Sequence, residues 1–158
     1  MKIGVVSDTH VPQVAGRLPA SLLRSLEGCD LIIHAGDITL PDVLSDLETV
    51  APVAAVRGNM DGSLPELPIS RLLNCDGRTV AVMHGHGAPD EVPRIVLSAF
   101  PAVDIIVFGH SHRALCRRRG TTLLFNPGSP TDPRFSPRLT FGILEIGDTV
   151  EGRIMDLP

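Results

Sequence analysis

The sequence predicts an α/β fold in which short buried strands alternate with helices early and give way to mostly strands later. Three observations predict it. The first sixty residues hold apolar runs of three or four residues, separated by stretches with helical or turn signals. The second half carries more such runs, set closer together, with Gly and Pro as punctuation between them. The composition, 43% apolar and 20% charged, excludes a disordered chain.

Taken in order, Ile3–Val6 reads as a buried strand ending at Ser7 and Asp8. Leu18, Leu22, Leu23 and Leu26 fall at helical spacing, and Gly28 suits the helix C-terminus. Leu31–Ile33 is a second buried strand, leading to His34 and Asp37. Thr39 is placed to cap a helix through Leu47, with Pro41 tolerated in its first turn. Val53–Val56 is a third strand, ending at Arg57, Gly58 and Asn59. Arg71–Asn74 and Thr79–Met83 read as short strands around the turn from Cys75 to Arg78, and the second ends at His84. Asp90 suits the cap of a helix that carries Val92, Ile95, Val96 and Ala99. Asp104–Phe108 is another buried strand, ending at Gly109 and His110, and Thr122–Phe125 follows. Leu139–Ile146 and Thr149–Met155 flank Gly147 and Asp148, a hairpin signal. Strand-to-helix loops therefore cluster at the carboxyl ends of strands, the edge where open α/β sheets bind ligands.

At 158 residues the chain is the size of one domain, taken as 1–158, with no room for a second regulatory one. A net charge of −4 argues against specific nucleic-acid binding, which needs a basic face. Cys29, Cys75 and Cys116 are odd in number and widely spaced, which points to free thiols in a reducing cytosol. The first apolar run stops at Asp8, too early for a signal segment. No run approaches the ~20 residues of a membrane span. The expectation is a cytoplasmic protein without membrane contact.

The unusual feature is histidine. Six occur, at positions 10, 34, 84, 86, 110 and 112. Five strands in this reading end in residues able to hold a metal. They give Asp8 with His10, then Asp37, Asn59, His84 with His86, and His110 with His112. Residues two apart in extended chain point the same way, so Asp8 with His10, and His110 with His112, can reach one centre. Glycine before Asp37, Asn59 and His110 permits tight turns. Carboxylates, imidazoles and one amide oxygen make a mixed N/O donor set that suits Mn²⁺, Fe or Zn²⁺. Any one of these groups alone is more often a turn residue. All five in this order, each after an apolar run, form a specific pattern.

These motifs, from Ser7 through Ser129, resemble those of the calcineurin-like metallophosphoesterases. More narrowly they resemble the small bacterial and archaeal phosphodiesterases of that superfamily, to which the retromer scaffold subunit is also similar. The resemblance implies a four-layer α/β/β/α sandwich of two mixed sheets flanked by helices. It implies two divalent metal ions, Mn first, with Fe, Zn or Ni also compatible. One would be held by Asp8, His10, Asp37 and His112, the other by Asp37, Asn59, His84 and His110, with Asp37 as the bridge. The implied activity is hydrolysis of small phosphodiesters by in-line attack of a metal-bridging hydroxide. Asp37 and Asn59 count among the catalytic residues. A small phosphoester is the implied partner, and a homodimer is compatible because small members often associate.

One position departs from the superfamily pattern. Where many members have a histidine after the Gly-Asn turn, this chain has Met60, and a thioether cannot donate a proton. His86 is the nearest candidate acid by sequence, with a supporting or surface role as the alternative. Asp61 is read as orienting its neighbours or capping a turn. His34 is read as support for the Asp37 turn. The Asn126–Ser129 segment is a turn by composition, near the site in the family. Arg117, Arg118 and Arg119 read as a solvated loop, with an anionic contact as the alternative. Arg57 is placed either to reach a phosphate or to form a surface ion pair. Two other functions stay open: a non-catalytic interaction scaffold of the same fold, and a phosphomonoesterase or nucleotide pyrophosphohydrolase.

Overall fold

The computed structural model describes residues 1–13, 15–134 and 136–157. Strands β1 (Lys2–Val6), β2 (Leu31–His34) and β3 (Val53–Ala55) run parallel. Two antiparallel strands, β9 (Thr140–Ile146) and β10 (Val150–Asp156), extend this sheet in the order β10-β9-β1-β2-β3. The second sheet has the order β4-β5-β6-β8-β7. Its strands are β4 (Ser70–Cys75), β5 (Arg78–Met83), β6 (Ile105–Val107), β7 (Leu115–Arg119) and β8 (Thr122–Asn126). Three of them, β5, β6 and β8, are parallel neighbours, flanked by antiparallel strands on both edges.

Side-chain alternation along each strand decides the layers. Ile3, Val5 and Ile33 point from the first sheet into a shared core with Val80, Val82, Ile105, Val107 and Phe125 of the second. Outward from the first sheet, Val6 and Ile32 pack on Leu22 of helix α1 (Ala20–Ser25) and on Val43 and Leu47 of helix α2 (Pro41–Glu48). On the other side, Ala81, Ile106 and Leu124 pack on Val92 and Val96 of helix α3 (Val92–Ala99). Each fully buried Leu or Ile contributes about 1.5–3 kcal/mol through removal of apolar surface from water. The result is the four-layer α/β/β/α sandwich with two mixed sheets.

Local details differ from the sequence reading in three places. Leu40, not Thr39, occupies the N-cap of α2 without a side-chain cap. Thr39 has a left-handed φ of 74°, and its hydroxyl donates to the Val11 carbonyl. Likewise Glu91 stands at the N-cap of α3, while Asp90 pairs with Arg113 at 2.6 Å. The third difference is Arg117–Arg119, which lie in edge strand β7 rather than a loop. Charged side chains on an edge strand discourage pairing with another chain. Arg118 also donates to the Val150 carbonyl at 2.8 Å, tying the edges of the two sheets together. All three cysteines are free, with Cys29 and Cys75 buried and Cys116 exposed. Among the described residues no helix is long and apolar enough to cross a membrane.

Candidate metal centre

The loops after β1, β2, β3, β5 and β6 meet where the two sheets face each other. Backbone bonds couple them. The Asp8 and His10 amides donate to Gly36 and Asp37 carbonyls at 2.9 and 3.1 Å, and the Gly109 amide donates to the His84 carbonyl at 3.1 Å. Between the sheets, His84 Nδ1 donates to the Ala35 carbonyl at 2.8 Å.

Two compact donor groups result. Asp8, His10 and His112 form one, and Asp8, Asp37 and His84 the other, with the donor atoms of each group within 4.8 Å of one another. Asp8 Oδ1 lies 4.0, 3.9 and 3.4 Å from the Nε2 atoms of His10, His84 and His112. Asp37 Oδ2 lies 3.7 Å from His10 Nε2 and 3.4 Å from His84 Nε2, so it faces both groups. Asn59 Oδ1 stands 3.1 Å from His84 Nε2 and 3.0 Å from His110 Nδ1.

The outer nitrogens of three of these rings are already engaged. His84 Nδ1 and His110 Nε2 face the carbonyls of Ala35 and Gly87, the latter at 3.0 Å. His112 Nδ1 faces the Asp132 carbonyl at 3.4 Å. A histidine whose outer N–H is held by a carbonyl presents the lone pair of its inner nitrogen, as metal-ligating histidines do. The N/O donors therefore fit divalent cations.

The backbone shows why the loops take this shape. Asp8, His10, Asp37, His110 and His112 have φ of 55°, 44°, 57°, 67° and 53°. Left-handed conformations cost a non-glycine residue roughly 1–2 kcal/mol, and they persist only where surroundings enforce them. Glycine is required at two neighbouring positions for a different reason. A Cβ at Gly109 would strike Ser7 Oγ and lie 2.7 Å from Asp8 Oδ2, and one at Gly58 would strike the Asp37 backbone and carboxylate.

Electrostatics also favour a cation. Burial pushes the Asp8 carboxyl up to about 6, against the pull of His84. For His84, burial opposes charge, but the hydrogen bond to Asp37 and the charge of Asp8 win and lift it to about 9. Burial works against ionised Asp37 too, yet His84 holds it below the usual carboxylate range. Burial lowers His10 and His112, partly offset by Asp37 and by Asp132 respectively. The two carboxylates thus create a point of negative potential that holds positive charge.

Comparison with known proteins bears on what such a centre does. Residues 1–149 match the model of the calcineurin-like phosphoesterase superfamily domain. The chain belongs to that superfamily. It is similar to a probable metallophosphoesterase of Methanothermobacter thermautotrophicus, at 37% identity over 98% of this chain and 92% of that one. It is also similar to the phosphodiesterase YfcE of Escherichia coli (strain K12), at 29% identity over 92% and 88% of the two chains. Among solved structures, a Vps29 single mutant from Entamoeba histolytica superposes with a TM-score of 0.80 at 25% identity, covering 100% of both chains. This calcineurin-like chain is thus of the phosphoesterase class, with candidate residues for the divalent metals the superfamily uses.

Several residues around these donor groups carry weight that their sequence context understates. Asp61 is fully buried, and its carboxylate accepts from the amides of Asp37, Ile38, Thr39 and Gly58 at 2.7–2.9 Å. Its only sequence signal is a position two residues past Asn59. Ser129 Oγ donates to the Asp8 carbonyl at 2.8 Å, and Thr131 Oγ1 donates to the Thr9 carbonyl at 2.6 Å. Asn126 Nδ2 donates to the Gly109 carbonyl at 2.9 Å. The Asn126–Ser129 turn is therefore a buried brace between the Asp8 and His110 loops. Asp132, beside His112 and paired with Arg134 at 2.8 Å, had no distinguishing pattern. His34 is buried and neutral, with burial taking it down to about 3. The Gly36 amide donates to its Nδ1 at 3.2 Å, so Nε2 donates to Thr9 Oγ1 at 3.1 Å. Met60 is 49% exposed, and its amide donates to Asp37 Oδ1 at 2.8 Å. His86 is exposed and lines a cavity with Asn59 and His84.

Proposed function

We propose that the chain is a phosphodiesterase that holds two divalent ions, Mn²⁺ first among them, and hydrolyses small phosphodiesters. The observation that carries this reading is the pair of donor groups that overlap at Asp8, with Asp37 of the second group 3.7 Å from His10 of the first. In this reading Asp8, His10, Asp37 and His112 hold one ion. Asp37, Asn59, His84 and His110 would hold the other, with Asp37 serving both. When bound, the ions supply Lewis-acid chemistry, stabilising charge on phosphoryl oxygens and making water acidic enough to attack.

The chain's own residues do the rest. Asp61 fixes the Asp37 and Gly58 loops, so neither donor needs to reorganise during the reaction. His84 is oriented by the Ala35 carbonyl. The water oxygen forms the new P–O bond as the bond to one ester oxygen breaks, and the proton it sheds passes to solvent. His86, at the mouth of the cavity beside Asn59, delivers the proton to that departing oxygen. Met60 occupies the position where a histidine would serve, so this duty falls elsewhere.

The test is turnover by the full chain supplied with Mn²⁺. An activated aryl phosphodiester is expected to be cleaved faster than the matching monoester. Equal or reversed rates would sink the diesterase reading in favour of a phosphomonoesterase or a nucleotide pyrophosphohydrolase. The likeness to Vps29 supports a second reading, a non-catalytic interaction module of this fold. Under that reading neither ester is turned over with any divalent metal.

A further inference from the structure

Beside Asn59 and His84 lies a cavity of about 270 Å³, walled by Ile69 and Met83 and rimmed by Arg57 and His86. We propose that this cavity holds one ester arm of the substrate, and that the arm is a planar, largely apolar group. The proposal rests on the phosphodiesterase reading and adds a substrate class to it.

Size is the first argument. Cavities that enclose a whole small ligand run to about 300–1,000 Å³. This one lies just below that range, which suits one arm of a diester whose phosphoryl group sits at the donors.

Wall chemistry is the second. Ile69 is 60% exposed, although burying such a side chain is worth about 1.5–3 kcal/mol. Phosphate alone would leave that apolar wall in water, whereas an apolar arm would cover it. The remaining groups favour flat partners. A guanidinium stacks on aromatic faces, a thioether packs against ring edges, and an imidazole offers its own ring. Arg57 is held at the rim by its amide, which donates to the Pro68 carbonyl at 2.8 Å.

The third argument is that the opposite side is closed. His10 and His112 are buried, and Ser129, Thr131 and Asp132 are buried beside them. Thr131 Oγ1 and Ser129 Oγ bond the Asp8–Thr9 backbone directly. An arm of any bulk fits on the Asn59 side.

The experiment measures dissociation constants of phenylphosphonate and methylphosphonate by calorimetry on the full chain loaded with Mn²⁺. Their head groups match and only the arm differs. Wild type is expected to bind the phenyl compound about tenfold more tightly. Ile69→Ser should cut that ratio to about threefold or less. Leu72→Ser, which alters another exposed apolar residue outside the cavity, should keep the wild-type ratio. Equal affinities in wild type, no binding of either compound, or a ratio unmoved by Ile69→Ser would each overturn the proposal. Phenyl preference without diester turnover would overturn the catalytic reading and the arm's identity as a substrate ester, leaving the cavity as a site for a flat apolar group. Diester turnover without phenyl preference would overturn this proposal alone.

Discussion

The candidate site has two unlike halves. Asp8, His10 and His112 are sealed under the loop that carries Ser129, Thr131 and Asp132, with left-handed backbone at all three. Asn59 and His86 are exposed, and His110 is half-buried with its ring at the surface. The sealed half can hold strained backbone because buried hydrogen bonds fix it from several sides. The open half holds one such residue, His110 at φ 67°, fixed by its amide's bonds to the Asp8 carboxylate, and it borders the cavity. Asp37 joins them, facing His10 on one side and His84 on the other. The contrast teaches that rigid positioning and substrate access are built from different loops, and Asp61 clamps the Asp37 loop they share to the Gly58 turn of the open half.

The largest stability effect should come from removing that clamp. Asp61→Ala leaves four amides, three of them buried, without their acceptor. The expected cost is about 3–5 kcal/mol, as for breaking a buried charged network. For a domain of this size that lowers the melting temperature by roughly 10 °C. Calorimetric melting checks it, and a shift of a degree or two would show that the Asp37 and Gly58 loops are not held together by Asp61.

His86→Ala addresses the open half. It should lower kcat for unactivated alkyl diesters by about 10²-fold, the usual contribution of a general acid. Diesters with a good aryl leaving group should lose much less, and the melting temperature should hardly move because His86 is exposed. Adding Met60→His to this variant should recover part of the alkyl-ester rate. Equal losses on both ester types would remove His86 from the proton-donor role.

The smallest effect serves as a reference at the far end of the molecule. Arg153→Ala breaks exposed ion pairs to Glu145 and Glu151 on β9 and β10. Exposed pairs are worth about 0–1 kcal/mol. Urea denaturation should find it within that range, with diester turnover unchanged. A large effect on either would mean that the site depends on sheet edges remote from it.

Much of this was legible in the sequence. The strands were readable because each is an apolar run closed by glycine or a polar residue, and Asp8, Asp37, Asn59, His84 and His110 stand just beyond those runs. Strand β7 was not, because an edge strand with three arginines carries no apolar alternation. The caps of α2 and α3 are hidden from sequence pattern because Thr39 and Asp90 bond partners outside their helices, Val11 and Arg113. Left-handed φ at five candidate ligands is only weakly signalled by residue type, since Asp and His are enriched there yet mostly adopt other conformations. The bracing by Ser129, Thr131 and Asp132 joins segments more than a hundred residues apart to the Asp8 loop, or twenty apart to His112, and local pattern does not encode such contacts.

The central claim is that both halves act as one metal centre bridged by Asp37. Elemental analysis of the full chain, purified with Mn²⁺ supplied and excess removed, tests it most directly. The account predicts about two ions per wild-type chain, as a dinuclear clamp requires, and well under one in Asp37→Asn. Wild-type chain without bound metal, or Asp37→Asn with undiminished metal content, would contradict it.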